Sequence, residues 1–152
     1  MVFFCKKIFK IYLIIGILCS ALSWSQVFAQ AYNFQAFSLI FDNKQEAWIG
    51  TQGGGITIFD GEEFNYLNIS DSLISNRVMA MSQIGNEIFV CQKGGVSIYD
   101  QSKKWIRNVR SADSQIIFQS IITKDDLILL GSDKGLYQIV NNKIVPYDAN
   151  LT

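Results

Sequence analysis

Histidine is missing from all 152 positions. That absence excludes a Ser-His-Asp triad, a Cys-His pair, histidine metal ligands and a phosphoacceptor histidine on this chain. Cysteine is nearly as scarce. Cys5 and Cys19 fall in an N-terminal leader, which leaves Cys91 alone and no internal disulfide framework. Cys91 sits in the apolar run Ile88-Phe89-Val90-Cys91 and reads as a small buried hydrophobe rather than a nucleophile. No stretch beyond the leader shows a sustained helical stripe. Acidic residues are absent before Asp42, so the formal charge of zero conceals a basic leader and a remainder with ten basic residues against thirteen acidic. Such a mildly acidic remainder has no general attraction for nucleic acid or anionic membranes.

The leader has the parts of a secretion signal. Lys6, Lys7 and Lys10 precede the uncharged stretch from Ile11 to Leu22, and small residues follow at cleavage spacing, as Val27-Phe28-Ala29 or Ala29-Gln30-Ala31. The apolar stretch is about twelve residues, short of the ~20 that span a bilayer. An uncleaved membrane anchor is the competing reading of the same segment. A lipoprotein site at Cys19 is disfavoured by the bulky Leu18 before it. Residues 1–29 are therefore read as a signal peptide, which places the rest on the periplasmic or extracellular side of the cell envelope.

What is abundant is repetition. Gly55, Gly95 and Gly135 stand forty residues apart, each between two strand-forming runs. The runs are Trp48-Ile49-Gly50-Thr51 and Ile56-Thr57-Ile58-Phe59-Asp60 in the first unit. In the second they are Phe89-Val90-Cys91-Gln92 and Val96-Ser97-Ile98-Tyr99-Asp100, and in the third Leu129-Leu130-Gly131-Ser132 and Leu136-Tyr137-Gln138-Ile139-Val140. Trp48, Phe89 and Leu129 correspond if the first unit carries one extra glycine. An apolar strand precedes each unit, from Ala36, Arg77 and Ile117, and a short one follows, anchored by Phe64, Trp105 or Ile144. β-branched and aromatic residues fill the strands; Gly, Asn and Asp fill the gaps. Four strands in every forty residues is the arithmetic of a propeller blade. The fold class is all-β: a partial β-propeller of about three four-stranded antiparallel blades, with repeats at 33–72, 73–112 and 113–152.

Few residues suggest chemistry. Gly53-Gly54-Gly55 and Gly131-Ser132-Asp133-Lys134-Gly135 lack the Lys-Ser or Lys-Thr and the helix of a phosphate loop, and read as hairpin turns. Glu62-Glu63 and Asp125-Asp126 are sequence neighbours that point apart on an extended chain, so they read as solvated turn residues. Calcium at Asp125 and Asp126 would need a ligand-rich loop that is not there. Lys103-Lys104-Trp105-Ile106-Arg107-Asn108-Val109-Arg110 is the one concentrated basic and aromatic patch. It suits contact with an acidic sugar or peptide, with Trp105 as a stacking platform. The competing reading is an outer strand whose charges blunt edge pairing, with Trp105 packed like its counterparts Phe64 and Ile144. No catalytic, cofactor-binding or metal-binding residue is assigned, no cofactor is expected, and ligand-binding residues are not singled out.

Trp48-Ile49-Gly50-Thr51, Gly54-Gly55-Ile56 and Phe59-Asp60 together resemble the two-component regulator propeller repeat, and Leu73-Ile74-Ser75-Asn76-Arg77-Val78 resembles that family's junction between blades. The likeness covers residues 33–152; the second repeat departs from it at Cys91 and the third at Val140. The resemblance implies the periplasmic sensor of a bacterial receptor, responsive in several members to carbohydrate fragments, with a histidine kinase outside these residues. It equally fits exported propellers that serve as cell-envelope or secretion-associated interaction modules. Three blades cannot close a ring, since propellers close with roughly four to eight. The expectation is therefore a fragment of a longer receptor, or self-association that completes the ring.

Overall fold

A computed structural model describes residues 35–124 and 127–148. The leader, with Cys5 and Cys19, and the Asp125-Asp126 turn lie outside the described residues.

Alternating apolar residues produce twelve strands in three antiparallel sheets, each in simple sequence order. Blade 1 comprises β1 (Ala36–Phe41), β2 (Ala47–Thr51), β3 (Ile56–Phe59) and β4 (Phe64–Leu67). Blade 2 comprises β5 (Val78–Ile84), β6 (Glu87–Gln92), β7 (Gly95–Asp100) and β8 (Trp105–Arg110). Blade 3 comprises β9 (Phe118–Lys124), β10 (Leu127–Ser132), β11 (Gly135–Val140) and β12 (Lys143–Pro146). The first strands β1, β5 and β9 pack side by side, as the inner strands of propeller-like blades do. Pairing of Trp48 with Ile58, Phe89 with Ile98 and Leu129 with Gln138 makes these three the same position of the repeat.

Two hydrophobic cores hold the blades together. Between blades 1 and 2, Trp48, Ile56, Ile58, Val78, Ile88 and Val90 are fully buried. Between blades 2 and 3, Cys91, Val96, Ile98, Phe118 and Leu130 are fully buried. Blade 2 is thus covered on both faces, which is why β6 and β7 read as continuous apolar runs rather than alternating ones. Each blade has a front face toward the next blade in the chain and a back face toward the previous one. Pleat alternation assigns every strand residue to one or the other.

The glycines of the repeat answer to backbone crowding. A Cβ on Gly55 or Gly95 would collide with the carbonyl oxygen of Leu67 or Val109 on the outer strand, and Gly55 adopts φ +81°. The junction motif is equally local in cause. Leu73 and Val78 are buried in the first core, Ser75 Oγ accepts from Arg77 N at 3.1 Å, and Asn76 Oδ1 accepts from Ile69 N at 2.9 Å. The Asn76 carbonyl also accepts from Gly55 N at 2.9 Å, which ties the linker to the preceding hairpin. A second tie closes the opposite end. Asp42 Oδ1 accepts from Lys44 N and Glu46 N, and Asp100 Oδ1 accepts from Ser102 N and Lys104 N, giving two like turns. These turns meet through Lys103 Nζ to Glu46 at 3.3 Å and Lys44 Nζ to the Gln101 carbonyl at 2.9 Å.

Candidate functional site

All three inner strands carry a bulge at the same place. The extra residue is Phe37 in β1, Met79 in β5 and Gln119 in β9. A bulge re-aims its side chain, and bulges concentrate at rims and beside binding sites. Phe37 is 38% exposed, large for an aromatic on an inner strand. Arg77, the residue just before β5, places its guanidinium carbon 5.8 Å from the Phe37 ring centroid, within cation–π reach. Arg77 is exposed and joins no ion pair among the described residues. β1 of blade 1 and the residue that leads into β5 of blade 2 therefore present together an aromatic ring and a guanidinium that joins no ion pair among the described residues. Such a pair recognises a polar ring through its apolar face and an anionic group through the guanidinium donors. Sequence reasoning missed this pairing, because the bulge has no periodic signature and Arg77 falls at a junction otherwise explained by turn chemistry.

The basic and aromatic patch sits on β8, the edge strand of blade 2. Half of its charged residues are already engaged. Arg107 holds Glu87 through two bonds at 3.0 and 3.2 Å and donates to Asn142 Oδ1 at 3.0 Å, so it links blades 2 and 3. Lys103 pairs with Glu46 of blade 1. Lys104 and Arg110 stay exposed and outside any ion pair among the described residues. Trp105 differs from the packed residue expected at its position. It is 48% exposed, close to its counterpart Phe64 at 46%, whereas its counterpart Ile144 is 8% exposed. A register shift at Ile98/Tyr99 inserts Ile106 into the edge strand beside it, and the Trp105 indole donates to Asn108 Oδ1 at 3.2 Å.

The remaining candidates are structural. Cys91 is fully buried, and burial pushes its thiol up to about 12, so the thiolate needed for nucleophilic attack is absent at neutral pH. Glu62 and Glu63 are exposed turn residues whose amides donate to Asp60 Oδ1 at 3.0 and 2.8 Å. Those two bonds lower the Asp60 pKa and account for its role. The glycine segments close hairpins: Thr51 Oγ1 donates to the Gly55 carbonyl and Ser132 Oγ to the Gly135 carbonyl, each at 2.9 Å. Gln92 replaces this hydroxyl in blade 2 and reaches further. It is fully buried, accepts from Ser97 Oγ at 2.7 Å and donates to the Ser75 carbonyl in the linker. Among the described residues no cluster of His, Cys, Asp and Glu is placed to hold a metal ion.

No protein-family model matches the chain, and no curated protein is similar to it.

Proposed function

We propose that this chain is a ligand-sensing propeller segment of an exported two-component signal-transduction receptor, with recognition as its task and no catalysis of its own. The observation that carries the reading is the exposed pair of Phe37, on β1, with Arg77, just before β5 of the next blade. A ligand seated there touches β1 and the start of β5 at once. Binding energy then depends on how the two blades are set relative to each other, which is the differential affinity a receptor needs to bias one state over another. The preferred ligand class is an anionic sugar fragment: the ring stacks on Phe37 and the carboxylate meets Arg77. The export signal, read from the leader, and the kinase, implied by the likeness to two-component regulator propeller repeats, belong to the same proposal.

Calorimetric titration of the chain with a uronic-acid oligosaccharide and with its neutral counterpart tests the assignment. Saturable binding of the acidic fragment, weakened about tenfold by Arg77→Ala or Phe37→Ala, is the expected result. Absence of binding by either sugar, with the fold intact by circular dichroism, overturns it. An envelope interaction module is the second reading, favoured by the exposed Leu39, Phe41 and Phe64 of blade 1. It predicts that substitutions at those positions, rather than at Arg77, abolish function.

A further inference from the structure

We infer that two copies of this chain close one ring, the front face of blade 3 in each copy seated on the back face of blade 1 in the other. This stands independently of the ligand assignment. The structure contains the same contact twice already, between blades 1 and 2 and between blades 2 and 3. The uncovered faces are the two missing halves of that contact. Ile56, Val96 and Leu136 pair with Gly50, Cys91 and Gly131 and so occupy one front-face position. The first two are fully buried, and Leu136 is 44% exposed. Leu39, Met81 and Ile121 pair with Ile49, Val90 and Leu130 and share one back-face position. Met81 is 7% exposed, and Leu39 is 60% exposed.

Shape agrees with position. Val78 of blade 2 packs into the notch left by the missing side chain of Gly50, where a Cβ would lie 2.5 Å from Val78 Cγ1. Gly131 leaves the same notch on the front of blade 3, and among the described residues Ser120 of its own blade is the only side chain within 4 Å of a Cβ placed there. The residue of blade 1 that corresponds to Val78 is Ala36, which pairs with Thr51 as Val78 pairs with Gln92. Leu39, Phe41 and Ile49 on the one face and Ile122, Leu129 and Leu136 on the other are apolar, so the middle of each face brings no charge into the seam. Lys143, paired with Val140, lies on the outer strand of the front face.

Each copy offers one face of each kind, which fits a front-to-back partner and not a front-to-front one. Twice three blades falls within the range of about four to eight at which propellers close. Two front-to-back seams related by a two-fold axis along the ring leave no free face, so the assembly stops at two copies.

Sedimentation velocity of the chain over a concentration series, beside Leu39→Asp and Leu136→Asp, tests this. Both side chains are exposed in the single chain, so neither change threatens the fold, and circular dichroism checks that it persists. Wild type is expected at twice the chain mass, and each variant is expected to dissociate about 100-fold more readily because a charge is buried at the seam. Mixing the two variants, one isotope-labelled for native mass spectrometry, is expected to give mixed dimers more readily than either variant pairs with itself. They are held by the one seam where the intact front of the Leu39→Asp copy meets the intact back of the Leu136→Asp copy, the other seam carrying both charges. A wild-type chain that stays single, a mass that grows without limit, or mixed variants that fail to recover would overturn the assignment.

Discussion

The indole of Trp48 donates to Asp42 Oδ2 across 3.2 Å, and both residues are buried against the seam between blades 1 and 2. The same carboxyl group accepts the amides of Lys44 and Glu46 at 2.9 Å, so one side chain shapes the first hairpin and satisfies the largest core residue. Trp48→Phe leaves that oxygen unpaired and opens a cavity where the indole packed, at a cost of about 2–4 kcal/mol. Asp42→Ala loses the turn as well, at about 2–4 kcal/mol. Urea denaturation of both single variants and the double variant checks this; a coupling energy near zero would show that the pair is incidental.

Gly50 and Gly131 hold one position of the repeat but face different neighbours. Gly50→Ala drives a methyl into fully buried Val78 and is expected to cost about 1–3 kcal/mol. Within one chain Gly131→Ala meets only the rotatable hydroxyl of Ser120, so at dilutions where the chain is single it is expected within about 0.5 kcal/mol of wild type. Equal midpoint shifts for the two variants would contradict the packing described.

The buried Gln92 network joins blade 2 to the linker before it. Ile74 N lies 3.2 Å from both Gln92 Oε1 and Ser97 Oγ, so removal of the amide strands several groups at once. Gln92→Ala is expected to cost about 2–4 kcal/mol. Faster proteolysis within residues 68–77 should accompany it, whereas Gln101→Ala, in an exposed turn, should leave both readouts unchanged.

Alkaline pH destabilises this fold through two buried acids. Desolvation raises the Cys91 thiol from 9.0 to about 12 and raises the Tyr99 phenol, whose hydroxyl donates to the Asp71 carbonyl at 2.5 Å. The unfolded chain releases these protons at their ordinary values while the native chain retains them. Stability is therefore full below about pH 9 and falls as pH rises toward 12. Cys91→Ala should flatten the decline that begins near pH 9. Thiol-specific labelling at neutral pH should be slow in the native protein and prompt in urea; rapid native labelling would contradict the burial of Cys91.

Strand positions, the forty-residue period and the hairpin glycines were legible in the chain because each follows from local rules. β-branched and aromatic alternation makes strands, and a tight reversal against an outer-strand carbonyl admits only glycine at Gly55 and Gly95. The exposure of Trp105 was not legible, because the outer strands of blades 1 and 2 leave Phe64 and Trp105 about half exposed while Ile144 at the same position of blade 3 is buried, a difference that residue type in the repeat does not carry. The meeting of Phe37 with Arg77, forty positions apart, arises from the packing of two inner strands and leaves no mark on the period.

The amino-acid order alone determined that this protein is a repeated antiparallel four-stranded unit, because strand and turn preferences act over a few residues. Only the tertiary structure decided which face of each unit is front or back, which glycine notch is filled, and which apolar faces stay uncovered. The physical reason is that pleat alternation divides each strand into two faces without saying what lies against either. That choice is made by neighbouring blades, whose contacts are non-local and apolar and therefore carry no directional code in the chain.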